Sequence, residues 1–330
     1  MAHTACSPSE TRSRVVNPTL LVVAVMWGAS HVVMKWVLQV MEPAALLALR
    51  MGAMGVLMMG GLFVAQRRHL GLRDRLMLVV FGGALVAAQL LSFTYAMKMT
   101  TASEASLIVS TAPVWTAAMV ALLRMELVTR LNWLGIAVAS AGVAMIIFGA
   151  TEGLADNAPA RLGGDLLMLA SACLYGGYMV ISKRWMRRFG ELNVICHTFA
   201  AAGILLVIVG GRELIATEWA EITPGHWIGI AYVTLIAGYV GLILWYRTIG
   251  RTSASGTAVY QYLVPAVAVI AAAIFLGERL AVLQLVGIAV TLVGVYLARV
   301  PPGSGSLSSA RPAPGPSERP PSSDLSRRQT

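Results

Sequence analysis

The sequence predicts an all-α polytopic membrane protein: ten transmembrane helices arranged as two inverted five-helix repeats. Three observations predict it. Apolar runs long enough to cross a bilayer recur through the 330 residues, the charges are confined to the gaps between those runs, and landmark residues of the first half return at fixed offsets in the second.

Composition comes first. Hydrophobic residues make up 57% of the chain and charged residues 12%, where soluble domains hold roughly 45–50% and about 25%. So few charges do not cover the surface of a water-soluble fold this size, whereas lipid removes the need for them. A bilayer core of about 30 Å takes roughly 20 apolar residues per helix. Runs of that kind fall at 18–38, 44–65, 76–97, 104–123 and 131–149, and again at 165–184, 192–210, 225–246, 254–276 and 280–299. Residues 1–17 read as an N-terminal tail and 150–164 as a polar external linker. The Pro-, Ser- and Arg-rich stretch 300–330 reads as a disordered tail.

The formal net charge is +10, yet the basic residues sit in short clusters rather than on one continuous face. That argues against a nucleic-acid partner and for orientation signals. With the N-terminus inside, six of the 25 Lys and Arg (Lys35, Arg50, Lys98, Arg161, Arg212, Arg279) fall towards the outside and the rest inside. The positive-inside rule therefore places both termini in the cytoplasm of a cell-membrane protein. Three cysteines, Cys6, Cys173 and Cys196, form neither a disulfide framework nor a metal site, and no cofactor is expected.

The halves repeat. Pro113, Glu126, Gly135 and Gly142 return 152 residues later as Pro265, Glu278, Gly287 and Gly294. Gly28, Lys35 and Gly55 return 148 residues later as Gly176, Lys183 and Gly203. The halves are thus 18–149 and 165–299, each with five spans. An odd number makes the second copy enter the membrane upside down. Two such halves have two asymmetric packings of similar energy, which open a midplane site to opposite sides in turn. That symmetry points to a transporter of small molecules.

The same residues carry a family likeness. The MWGAS segment of the first span, EPAALLALRMGA entering the second, and the block YLVPAVAVIAAAIFLGERLAVLQLVGIAVTLVGVYL resemble the drug/metabolite transporter superfamily, specifically its ten-helix EamA-type permeases. The resemblance runs over about 18–299. It implies movement of small metabolites, commonly amino acids and related compounds, with export as the expected direction.

Polar residues inside the spans are the candidate substrate contacts, because lipid offers them no partners. Trp27, His31 and Lys35 share one face of the first span at i, i+4 and i+8, with Ser30 beside them. Ser171, Tyr175, Tyr178 and Ser182 form the matching stripe on the sixth. Gln89 is a lone amide in the third span, while Gln261 and Trp115 flank the two prolines. Pro113 and Pro265 are expected to kink their helices. Arg50, Glu126 and Glu278 are expected in gating or structural roles, the glutamates as caps or interfacial ion pairs. With carboxylates only at span ends, proton coupling would fall on His31 or His197, and uniport stays open. The GHWIG segment at 225–229 offers a face for helix contact or a homodimer. The chain carries no HExxH, GxSG, GxGD or GxxxxGK[ST] motif, which speaks against an enzyme. A non-transporting structural or receptor-like membrane protein is the other alternative.

Overall fold

The computed structural model describes residues 18–64, 70–123, 130–151, 158–249 and 263–297, and among them every regular element is a helix. In chain order these are α1 (Pro18–Val37), α2 (Pro43–Val64), α3 (Leu72–Met99), α4 (Ala102–Val109), α5 (Ala112–Leu122) and α6 (Arg130–Thr151). The second half holds α7 (Ala158–Phe189), α8 (Glu191–Ile215), α9 (from Pro224 to Ile249), α10 (Leu263–Phe275) and α11 (Val282–Leu297). Six helices, namely α1, α2, α3, α7, α8 and α9, are long and apolar enough to cross a membrane, and shorter apolar helices join them. Many large side chains on their outer faces are exposed, such as Val56, Phe81, Ile208 and Ile228. A shell of that kind suits hydrocarbon.

Several boundaries differ from the expected spans, for local reasons. The fourth span is broken into α4 and α5 at Ser110–Thr111. Pro113 then sits in the first turn of α5, where its missing N–H removes no helix bond. The helix α7 begins at Ala158, so the second part of the expected linker is helical. Wide π turns interrupt α3 at Leu78–Gly82 and α9 at Tyr232–Val240. Residues 254–262 of the expected ninth span lie outside the described residues.

Two glycines turn the chain where other residues would be strained. Gly190 (φ 86°) joins α7 to α8, and Gly277 (φ 66°) ends α10. After Gly277 the N–H of Glu278 reaches back to the carbonyl of Ala272 at 3.3 Å, which folds the chain back over the end of the helix. This turn sends Glu278 towards the start of α4.

The helix crossings occur in matched pairs. Gly55 of α2 and Gly203 of α8, mates at the 148-residue offset, lie against each other. Gly28 of α1 packs on Val264 and Val267 of α10, and its mate Gly176 of α7 packs on Ala112 and Trp115, the mates of those two residues at 152. Gly142 of α6 meets Thr291 and Gly287 of α11, and its mate Gly294 meets Ala139, the mate of Thr291. Each glycine lets two backbones approach to a distance that a Cβ would block. A contact between mates at α2 and α8 is thus flanked by contacts in which residues of the two halves are exchanged.

Candidate functional site

Near the middle of the bundle, α1 presents Trp27 and His31 on one face. The indole Nε1 of Trp27 donates to the carbonyl of Ala237 at 2.9 Å, and its ring meets Trp245 with centroids 5.0 Å apart. That carbonyl belongs to the π segment of α9, where widened turns leave backbone oxygens reachable from the side. Arg50 uses the same segment: its Nη2 donates to the carbonyl of Val233 at 3.1 Å and its Nη1 lies 3.1 Å from the sulfur of Met34.

His31 is buried. Its Nδ1 lies 2.8 Å from the carbonyl of Trp27, so that nitrogen carries the proton, and its ring meets the edge of Phe93 of α3. Its Nε2 and the Nε of Arg50 are both buried without a hydrogen-bond partner among the described residues. Gln89, one turn before Phe93, pairs reciprocally with Ser171 of α7: Nε2 donates to Oγ at 3.0 Å and Oγ donates to the Gln89 carbonyl at 3.1 Å. Tyr175, half-buried, lies one turn beyond Ser171. A continuous polar and aromatic array thus runs from α9 through α1 and α3 to α7.

The other predicted residues fall elsewhere. Ser30 turns back to the Trp27 carbonyl at 2.7 Å. Tyr178 is buried against α8, its hydroxyl 3.1 Å from that of Thr198. Trp115 bonds within its own helix, to Thr111 at 3.2 Å. His197 faces the Asn193 carbonyl at 2.7 Å within α8. Pro265 is buried in the first turn of the described α10. Gln261 and Glu126 lie outside the described residues. Gly225 and Gly229 of the GHWIG segment are covered by Trp36, Val33 and Val37 of α1, so that face is used within the chain.

A second polar group lies at one end of the bundle. Lys35 donates to the carbonyls of Met97 (2.9 Å), Lys98 (3.1 Å) and Thr100, closing the C-terminus of α3 with a cation. Glu278 accepts from the N–H groups of Ala102 (2.8 Å) and Ser103 (3.0 Å) and so caps α4 with an anion. Between these caps Glu104, fully buried, takes both arms of Arg161, the Gln284 amide at 2.5 Å and the Thr101 N–H of a capping box. Thr100 and Asp165 complete the cluster. In the sequence Glu104 and Asp165 read only as carboxylates at span ends, while Glu278 is expected to cap or to pair at an interface. The signal was there in Thr101-Ala-Ser-Glu104, the pattern of a capping box before an apolar run.

Cavities flank α10 on either side. One of about 260 Å³ opens between α4, α10 and α11, lined by residues such as Leu107, Val269, Ile288 and Leu292. Another of about 350 Å³ lies between α1 and α10 beside Val32, Trp36 and Phe275. Both have apolar walls that include exposed side chains, the character of lipid-facing grooves, and neither includes the polar array.

Apolar membrane-length helices around a buried polar array define a multi-pass membrane transporter, and the comparisons with known proteins agree. The sequence pattern of the EamA-like transporter family matches residues 17–148 and again 162–300, and the chain belongs to that family. A "Probable amino-acid metabolite efflux pump" of Salmonella typhimurium is 26% identical over 285 residues, covering 84% of this chain and 92% of that protein. A "Probable terminal-alkyne amino-acid exporter" of Streptantibioticus cattleyicolor is 27% identical, over 68% of this chain and 73% of the relative. One solved crystal structure superposes with a TM-score of 0.59 at 17% identity, over 84% of this chain and 94% of that one, which is likeness of fold.

Proposed function

We propose that the chain is a secondary transporter that exports small metabolites, amino acids or related compounds, across the cell membrane by alternating access. Ten spans, broken by kinks and π turns, form two inverted halves with both termini in the cytoplasm. The observation that carries the reading is the exchanged glycine packing: the α1–α10 crossing has a mate in α7–α5 where the two repeats trade places, and mate residues meet across α2–α8 and α6–α11. A bundle built that way has a second packing of similar energy with the opposite side open.

The array of Trp27, His31, Gln89, Ser171 and Tyr175 is the substrate path in this reading. Its aromatic and neutral polar character suits neutral, zwitterionic or aromatic solutes. The names of the relatives from Salmonella and Streptantibioticus support amino-acid-like compounds and outward movement.

The test is flux in sealed proteoliposomes with a panel of labelled amino acids and cationic drugs, with and without an imposed pH gradient. Saturable movement of one class is expected. A response to the gradient separates proton-coupled exchange from uniport. Folded protein that moves no member of the panel, and binds none, would count against the carrier.

A further inference from the structure

We propose that Asp165 is a proton-binding site whose occupancy holds the seam between the two halves closed at the end where Lys35, Glu104 and Glu278 meet. The hydroxyl oxygen of Thr100 lies 2.8 Å from Oε2 of Glu104 and 2.5 Å from Oδ1 of Asp165. A threonine hydroxyl has one proton and donates once, while an ionised carboxylate only accepts. Two short contacts from one hydroxyl to two carboxyl groups therefore need a proton on one of them.

Glu104 is the ionised member. It takes Arg161 on both oxygens, the Gln284 amide and a backbone N–H, all of which favour the charged form. Asp165 has no such support. It is fully buried, Thr100 is the hydrogen-bond partner of its Oδ1, and its Oδ2 is buried with none among the described residues. The proton therefore sits on Asp165, which donates to Thr100, which donates to Glu104.

The charged and titratable groups around this chain of bonds come from every helix that meets there. Lys35 of α1 is held by the end of α3, Arg161 of α7 by Glu104 of α4, and Glu278 by the start of α4. Gln284 of α11 reaches Glu104 as well. Lys35, Thr100 and Glu104 belong to the first half, whereas Arg161, Asp165, Glu278 and Gln284 belong to the second. When Asp165 passes its proton to water, two carboxylates face one hydroxyl proton and one guanidinium, in a place where an unpaired buried charge is costly. Parting of α7 from α3 and α4 relieves that arrangement by letting water in. Protonation closes the seam and deprotonation opens it. The role of this motion as the outward gate rests on the transport reading, while the proton site stands on the geometry alone.

The experiment uses the full chain in lipid nanodiscs and needs no substrate. Infrared spectra followed over pH read the carbonyl stretch of protonated carboxyl groups. Spin labels at Gln39→Cys and Arg279→Cys, exposed positions of the first and second halves, read the seam in a background with the native cysteines replaced. The wild type is expected to show a buried protonated carboxyl at neutral pH and a longer, broader distance distribution as that band disappears. Asp165→Asn, a neutral shape mimic, is expected to lose one carboxyl of band intensity and to stay closed at every pH. Asp74→Asn, at an exposed ion pair with Arg188, should keep both behaviours. A neutral-pH band that survives in Asp165→Asn overturns the proton site. A distance distribution indifferent to pH in the wild type, with the band titrating, overturns the gate. Both signals present in a protein that moves no solute would leave the proton site standing and remove the transport reading instead.

Discussion

The two polar regions of this bundle, one mainly aromatic and neutral and the other charged, differ in how completely the protein satisfies them. At the end cluster, the charges are met by the chain itself: Glu104 by Arg161 and Gln284, Lys35 by three carbonyls, Glu278 by two amides. In the mid-bundle array, His31 Nε2 and Arg50 Nε are buried and unmet. Buried polar groups in native proteins are nearly always paired, and in a membrane the demand is stricter. Capacity filled by the chain is structure. Capacity left over within a membrane-spanning bundle is what the proposed substrate path would use. The exception within the end cluster, Asp165 Oδ2, is the one that points to a proton.

The comparison predicts opposite failures for the two regions. The largest effect belongs to the end cluster. Glu104→Ala removes the acceptor of a guanidinium that is itself only 14% exposed, and breaking a buried pair from one side costs about 3–5 kcal/mol. The thermal unfolding midpoint of the purified protein should fall by many degrees, with less protein recovered from the membrane. A midpoint equal to wild type would mean that the cluster locks nothing. His31→Ala, in the array, should do the reverse. Protein level and midpoint stay close to wild type, while flux of the transported solute drops by about tenfold or more, which corresponds to about 1.4 kcal/mol. Unaltered flux at normal protein level would remove His31 from the path.

How far the sequence revealed each region follows from the kind of information each needs. Helical character was legible from run length and charge placement, because hydrophobicity is a property of each segment alone. The offsets of 148 and 152 mark Gly28, Gly142 and their mates as repeat landmarks, and in the structure the same glycines are points of close approach between helices. The array was legible in part. Its members from α1, α3 and α7 stood out as polar residues in apolar runs, but Tyr178 and Trp115, equally prominent, turned to Thr198 and Thr111. A stripe on a helix shows which residues share a face; it does not show which helix covers that face. Lys35 and Glu278 of the end cluster stand out in the sequence, but the way the cluster assembles does not, because its partners are far apart in the chain: Glu104 and Gln284 are separated by 180 positions. Position at a span end says nothing of burial, which comes here from the packing of α7 and α11 over α4. The π segment of α9 was equally hidden, since nothing in YVTLIAGYV departs from an ordinary apolar helix.

Smaller effects sharpen the contrast inside the array. Gln89 and Ser171 form a closed pair of hydrogen bonds between α3 and α7, so Gln89→Leu and Ser171→Ala should not be additive. A double-mutant cycle on unfolding free energy should give a coupling of about 0.6–1.7 kcal/mol, the range for interhelical pairs in membranes. Additive effects would mean that each side chain has another role, with substrate as the first candidate.

The smallest expected effect is at the rim of the same end where Glu104 lies. Lys98 meets Glu42 at 2.6 Å, a shorter contact than many buried pairs, but the two side chains are 39% and 66% exposed. Water already solvates both partners, and salt screens what remains, so Glu42→Gln should change unfolding free energy by less than about 1 kcal/mol. The change should shrink further when the midpoint is remeasured at high salt. Glu104→Ala, by contrast, should keep its full effect at high salt, because its pair is shielded from ions. Were the two substitutions to respond to salt alike, burial would not be what separates them, and the end cluster would be a surface feature rather than a lock between the halves.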